Sequence, residues 1–280
     1  MVSLEKYLSV LPRKLSCDDS GVLLTTLAVR DGDLEKLKWL CDSKTGSGIC
    51  LYDDETCNAA AESCRLDILM WLRDPKTGSG ACPWTIETLI SAARGGDLDV
   101  LKWVRDRMRT KERNSEVCSA AAAGGHLHIL MWLRDPKTGG GECPWDWKTI
   151  REAARGGHLD ILEWINSQQK IGKNLWGQMI CSTAAERNHL HVLMWLRDPK
   201  IGGGECPWDW RTCYSAAKNG HLDLLIWLWE QGCPWDDRVC LVAAINGHYN
   251  ILKWFAENKG KEGIQKLEEE LVLKIKTNYK

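Results

Sequence analysis

A chain of 280 residues with 37 basic and 38 acidic side chains has a formal net charge of −1. That balance excludes strong global attraction to nucleic acid or to an anionic membrane. No apolar run approaches the length needed to cross a bilayer, and the start, MVSLEKYLSVLPRK, lacks the basic segment and apolar core of a secretion signal, so a cytoplasmic or nuclear location and no membrane partner are expected.

In chain order, Leu4, Leu8 and Leu11 stand at helical spacing and are read as part of an N-terminal cap over residues 1–23. From residue 24 to residue 256 one pattern recurs without a linker. DGDLEKLKW ends at Trp39 and SCRLDILMW at Trp71. RGGDLDVLKW, GGHLHILMW and GGHLDILEW end at Trp103, Trp132 and Trp164, and RNHLHVLMW, NGHLDLLIW and NGHYNILKW at Trp195, Trp227 and Trp254. These tryptophans are 32, 32, 29, 32, 31, 32 and 27 residues apart, a period of stacked repeats. About eight units are expected in one elongated domain, with the indoles as its recurring packing positions. A chemical group is not needed eight times, whereas a packing position is needed in every unit. Residues 257–280 are read as an amphipathic capping helix, with Ile264, Leu267, Leu271 and Ile275 on one side and Lys266, Glu269 and Glu270 on the other; recognition of a partner helix is the rival reading.

Within a unit, WKTIREAARG places Ile150, Ala153 and Ala154 on one side of a short helix. Gly156 and Gly157 then permit a sharp reversal. HLDILEWIN carries Leu159, Leu162 and Ile165 on one face of a second helix, with Ile161 and Trp164 beside them. Helices of two or three turns are marginal alone, so each pair must gain stability by burial against its neighbours. A fully enclosed tryptophan replaced by alanine would cost about 3–5 kcal/mol. The connections, such as RDPKTGGGECPWD, are rich in glycine and end in Cys-Pro-Trp. Residues 230–240 lack the Lys-Thr-Gly insert, so stacking does not require it.

The unit resembles the ankyrin repeat, most clearly in TCYSAAKNGHLDLLIWLWEQGCPWD. The alanine pair, the Gly-His-Leu-Asp that follows it and the apolar run carry the match. Thr212 stands where the family has a threonine before the first helix, a slot also held by Thr56, Thr88 and Thr149. Gly125-His126, Gly157-His158, Gly220-His221 and Gly247-His248 match the family's glycine-histidine pair, Leu225 and Leu228 its last apolar positions, and Gly232-Cys233 its Gly-Ala ending. The family's proline after the threonine and its next Leu-His are absent, and tryptophan fills a slot where a smaller residue is usual. In this the chain is similar to the tryptophan-rich, Cys-Pro-Trp variety found in algae, oomycetes and large viruses. The resemblance covers about four-fifths of the chain. It implies an all-α solenoid of antiparallel helix pairs with short or reduced hairpin connections. It also implies protein binding through a concave face lined by the first helices and through the adjoining loops, with no catalysis.

Site-like features have plain readings. His126, His158, His189, His221 and His248 share one slot a whole unit apart, about 10 Å in a stack. That separation makes a ladder rather than a metal cage, since zinc–nitrogen bonds are about 2 Å, and bonding to turn backbone is expected. His128 and His191 are expected to face solvent. The thirteen cysteines include no CxxC pair and read as reduced thiols. Lys76, Lys137 and Lys200 follow proline rather than the glycine of a phosphate loop. No metal, cofactor or catalytic group is therefore expected.

Two connections break the pattern. RDRMRTKER contributes Arg105, Arg107, Arg109, Lys111 and Arg113, and QQKIGKNLWGQ contributes Lys170 and Lys173. They read as solvated connections, or as a basic edge for an acidic partner or a phosphate backbone. On the first helices, Lys148, Arg151, Arg155, Arg211 and Lys218 are candidate contacts. The expectation is a scaffold, monomeric alone, that binds another protein, with nucleic-acid binding through a basic loop edge as the alternative.

Overall fold

The computed structural model describes residues 17–42, 53–74, 76, 84–108, 114–137, 144, 146–168, 177–198, 200 and 206–259. Among them lie sixteen helices and no strand. The first four pairs are α1 (Cys17–Arg30) with α2 (Leu34–Cys41), α3 (Asp54–Glu62) with α4 (Leu66–Arg73), α5 (Ile86–Gly95) with α6 (Leu98–Arg107), and α7 (Ser115–Ala123) with α8 (Leu127–Arg134). The second four are α9 (Trp147–Gly156) with α10 (Leu159–Ser167), α11 (Gln178–Glu186) with α12 (Leu190–Arg197), α13 (Trp210–Lys218) with α14 (Leu222–Glu230), and α15 (Asp237–Ile245) with α16 (Tyr249–Lys259). They group into two compact units, Met1–Trp145 and Asp146–Lys280, of four pairs each, where the sequence suggests a single run. Helix α1 starts inside the segment read as a cap. Leu4, Leu8, Leu11 and the amphipathic segment 261–280 fall outside the described residues, as do the glycine-rich inserts.

Six of the eight first helices start where a side chain takes up free amides. Asp53, Thr85, Asn114, Asp146, Asp209 and Asp236 cap α3, α5, α7, α9, α13 and α15 in this way. The threonines of the family slot do not precede these helices. Thr56, Thr88, Thr149 and Thr212 lie inside the first turn and are fully buried. Some link neighbours: the hydroxyls of Thr26 and Thr56 are 3.3 Å apart, and Thr88 donates to Asn58 at 2.7 Å.

First helices pack against first helices of adjacent pairs, α1 to α7 in one unit and α9 to α15 in the other. The contact is close because its residues are small. The alanine pairs 60–61, 92–93, 121–122, 153–154, 184–185 and 216–217 have no exposed surface, nor do Cys57, Cys118, Cys181, Cys213 and Cys240. The second helices contribute an aliphatic triplet, such as Ile68, Leu69 and Leu72 in α4 or Ile161, Leu162 and Ile165 in α10, again fully buried.

The indoles differ from expectation. Of the eight recurring tryptophans only Trp195 is buried, at 7% exposure. Trp39 is 41% exposed, and Trp71, Trp103, Trp132, Trp164, Trp227 and Trp254 are half-buried. At 3.6 residues per turn, Trp164 sits about 110° round the helix from the middle of the Ile161–Leu162–Ile165 arc, with Leu159 on the opposite flank. The aliphatic triplet faces the interior and the indole covers its edge.

A left-handed residue follows every first helix: Gly32, Cys64, Gly96, Gly125, Gly157, Asn188, Gly220 and Gly247 all have positive φ. The side chain of the next pair closes over several of these reversals. His126 Nε2 lies 2.9 Å from Arg94 O, His189 Nε2 2.9 Å from Arg155 O, His221 Nε2 3.1 Å from Glu186 O and His248 Nε2 2.9 Å from Lys218 O. A carbonyl only accepts, so each imidazole carries its proton on Nε2. The histidines thus satisfy carbonyls that a helix C-terminus leaves without an intrahelical partner. His128 and His191 are exposed, as expected, and also bond Gly96 O at 3.0 Å and Gly157 O at 2.8 Å. An aspartate in that slot, an acceptor only, has no proton to offer such a carbonyl. A Cβ on Gly157 would stand 2.6 Å from the His189 ring and one on Gly220 2.7 Å from the His248 ring, so two of these glycines serve the neighbour's approach as well as their own φ. In the second pair Arg65 replaces histidine, lies over Gly32 and is held by Asp67 at 2.9 Å.

Leu130→Ala removes a fully buried side chain and is expected to lower stability in urea by about 2–5 kcal/mol. Trp132→Ala, at a half-buried site, is expected to cost less, about 1–2 kcal/mol; an equal or larger loss would return the indole to the interior. Burial first, then His191, His158 and Arg187, hold the His189 imidazole below its ordinary range, against the Arg155 carbonyl that favours its charged form. The unfolded chain therefore takes up the proton first. This contribution to stability is complete above about pH 6.5 and is lost as pH falls through the folded value. Urea midpoints of the wild type and His189→Gln are expected to converge on acidification.

Candidate functional site

The first helices of the two units, caps aside, differ in charge. Helices α1, α3, α5 and α7 hold Arg30 and Arg94 against Asp54, Glu55, Glu62, Glu87 and Glu116. Helices α9, α11, α13 and α15 hold Lys148, Arg151, Arg155, Arg211, Lys218 and Arg238 against Glu152, Glu186 and Asp237. All five first-helix cations expected from the sequence belong to the second row.

The row is organised by aspartates and aromatics. Asp209 caps α13 through the Arg211 amide and also holds the Arg211 guanidinium. Asp236 does the same one pair later, accepting from the Arg238 amide at 2.9 Å and its Nε at 2.8 Å. Both guanidiniums meet the Trp210 ring, Arg238 at 3.5 Å and Arg211 at 5.2 Å from its centroid. Tyr214, one turn on, meets Trp210 edge to face at 5.8 Å. Arg211 and Arg238 remain exposed and Trp210 and Tyr214 half-buried. Earlier in the row Arg151 lies 4.8 Å over Trp147 and 2.7 Å from Glu152, while Arg155 reaches Glu152 and Glu186 at 3.9 and 4.0 Å. Fixed guanidinium planes with spare N–H groups suit carboxylate or phosphate.

Sequence reasoning missed Trp147, Trp210, Tyr214 and Arg238. The available signal was the residue after each capping aspartate: Asp-Trp-Lys, Asp-Trp-Arg and Asp-Asp-Arg recur where α9, α13 and α15 begin.

Arg105 and Arg107, read as an open basic connection, close α6. Arg105 lies 5.5 Å over Trp132 and Arg107 4.1 Å over Trp103, so both shield indole edges. Arg109, Lys111, Arg113, Lys170 and Lys173 fall outside the described residues. The Cys-Pro-Trp tryptophans join the same edge: Arg73 stacks 4.8 Å from Trp84, which meets Trp103 at 5.1 Å. Likewise Arg197 stacks 4.2 Å from Trp208, which meets Trp227 at 6.1 Å. Trp235 completes the series against Trp254 and Phe255.

Cys41 and Cys57 each take part in a disulfide, which corrects the expectation of reduced thiols throughout; Cys64, Cys118, Cys181, Cys206, Cys213, Cys233 and Cys240 form none. Spacing alone conceals such proximity: the Sγ atoms of Cys181 and Cys206, 25 residues apart, lie 3.3 Å from each other. Among the described residues no three His, Cys, Asp or Glu side chains converge as metal ligands, and no helix is long and apolar enough to cross a membrane. Neither a protein-family model nor a curated protein matches the chain.

Arg197 also donates to the Cys206 carbonyl at 3.1 Å. Arg197→Ala removes that bond and the stacking on Trp208, and is expected to lower stability in urea by about 1–3 kcal/mol. Arg197→Lys is expected to lose less; an alanine variant as stable as wild type would show that the edge cluster is not structural.

Proposed function

We propose that the chain is an ankyrin-like repeat protein, each four-pair unit a short solenoid, that binds another protein through the first-helix row of its second unit. The supporting observation is the Arg211–Trp210–Arg238 stack. Two exposed guanidiniums are held by capping aspartates against an indole, beside Tyr214, in a row of helices that carries six cations. Such a surface loses little side-chain entropy on binding, and tryptophan, tyrosine and arginine dominate interface energetics. An acidic segment suits it, with carboxylates meeting the free edges of the guanidiniums and an apolar side chain covering the indole. The role is one of binding, without catalysis or cofactor. Recurrent helix pairs, the left-handed reversals and the histidine contacts support the family reading.

The test is capture from extract of the native cell, treated with nuclease, by wild type and by Arg211→Glu/Arg238→Glu, with circular dichroism establishing that the variant folds. The expected result is a small set of proteins depleted at least about tenfold on the variant, equivalent to about 1.4 kcal/mol. Unchanged capture removes this row as the site. Capture that disappears with nuclease and falls steeply with salt replaces the protein partner with nucleic acid.

A further inference from the structure

The second unit buries a close pair of thiols in its interior. Cys181, on α11, and Cys206, in the irregular stretch 206–209, are both buried, with their Sγ atoms 3.3 Å apart. One pair along the chain, Cys213 of α13 and Cys233, just beyond α14, are also buried, and the Cys233 thiol donates to Asp209 O at 3.6 Å. Cys57 occupies the slot of Cys181 and Cys213, three residues before an alanine pair, and is in a disulfide.

We propose that Cys181 and Cys206 are paired redox thiols that close into a disulfide by exchange with a small-molecule disulfide such as oxidised glutathione. A disulfide needs its sulfurs about 2.05 Å apart, so the 3.3 Å pair closes with a movement of about an ångström. The connecting-segment partner is the one placed to make it. Cys206 is tethered by its amide to Leu196 O, by its carbonyl to Arg197 and by its thiol to Gly177 O at 3.8 Å, not by a helical ladder of its own. In the exchange, one cysteine thiolate attacks a sulfur of the external disulfide and expels one small thiolate. The second cysteine thiolate then attacks the mixed disulfide and expels the other. Two protein thiols are oxidised, one external disulfide is reduced, and the two protein protons leave with the two released thiols.

The closed pair is held back from this reaction. The neighbouring thiol and burial push Cys181 well above the ordinary thiol range, so it supplies no thiolate until the connecting segment lifts, and oxidation follows that opening. The stretch 206–209 leads directly to the Asp209 cap of α13, so the cross-link pins the approach to Trp210 and Arg211. The chemistry does not depend on the binding reading.

The experiment uses the full chain, fully reduced, desalted and incubated with oxidised glutathione. It is then alkylated under denaturing conditions and digested without reduction for mass spectrometry. The expected product is a cross-linked peptide joining Cys181 to Cys206. Cys240, which has the same first-helix slot but no later cysteine in the sequence, is expected to be recovered alkylated or as a glutathione adduct. The oxidised protein is expected to melt at a higher temperature than the reduced one, with the difference lost in Cys206→Ser. Recovery of Cys181 and Cys206 as alkylated thiols, or only as separate glutathione adducts, overturns the proposal, as does cross-linking that scrambles among all free cysteines.

Discussion

A helix of eight to ten residues leaves nearly as many backbone groups unpaired at its ends as it pairs within, and this protein is built from such helices. Its C-termini show how the difficulty is met. Each first helix ends in a left-handed residue, and where the next pair supplies a histidine, the imidazole donates to a carbonyl of that last turn. The neighbour completes the helix, and the glycine that makes the reversal also leaves room for the ring. Stability is therefore a property of adjacent pairs.

The side chains are sorted by size accordingly. Alanine, cysteine and threonine line the contact between first helices, aliphatic triplets fill the space beneath the second helices, and indoles stand at the edge under arginine guanidiniums. Tryptophan suits this edge because one part of the ring packs on aliphatic neighbours while its face receives a cation. The same pairing of indole and guanidinium recurs on the first-helix row of the second unit, where it is exposed. There the capping aspartates serve twice, closing a helix start and orienting an arginine. A recognition surface can arise from the scaffold's own capping chemistry with few added residues.

Much of the architecture was legible in the sequence because repetition exposes it. The 27- to 32-residue recurrence of tryptophan, the alanine pairs and the glycine-histidine reversals identify paired helices and their boundaries, since the same local rule is applied eight times and chance agreement is averaged away. The structure set the indoles at the edge of the interior rather than enclosed within it, because periodicity reports that a residue is needed in each unit but not how deeply it lies. A shift of about 110° round a short helix separates the interior from its rim. His128 and His191 are exposed, as their slot suggested, but only the three-dimensional path shows a carbonyl within reach of each imidazole.

By itself, then, the sequence determined what is local and repeated: helix pairs, their reversals and the small or large character of each slot. Tertiary structure alone decided the grouping into two units of four pairs, the differing charge of their first helices, the convergence of Arg211 and Arg238 on one indole, and the meeting of Cys181 with Cys206. Each of these joins residues roughly a repeat or more apart, and distance in space between such residues is set by how whole helices pack, which no short stretch of chain encodes.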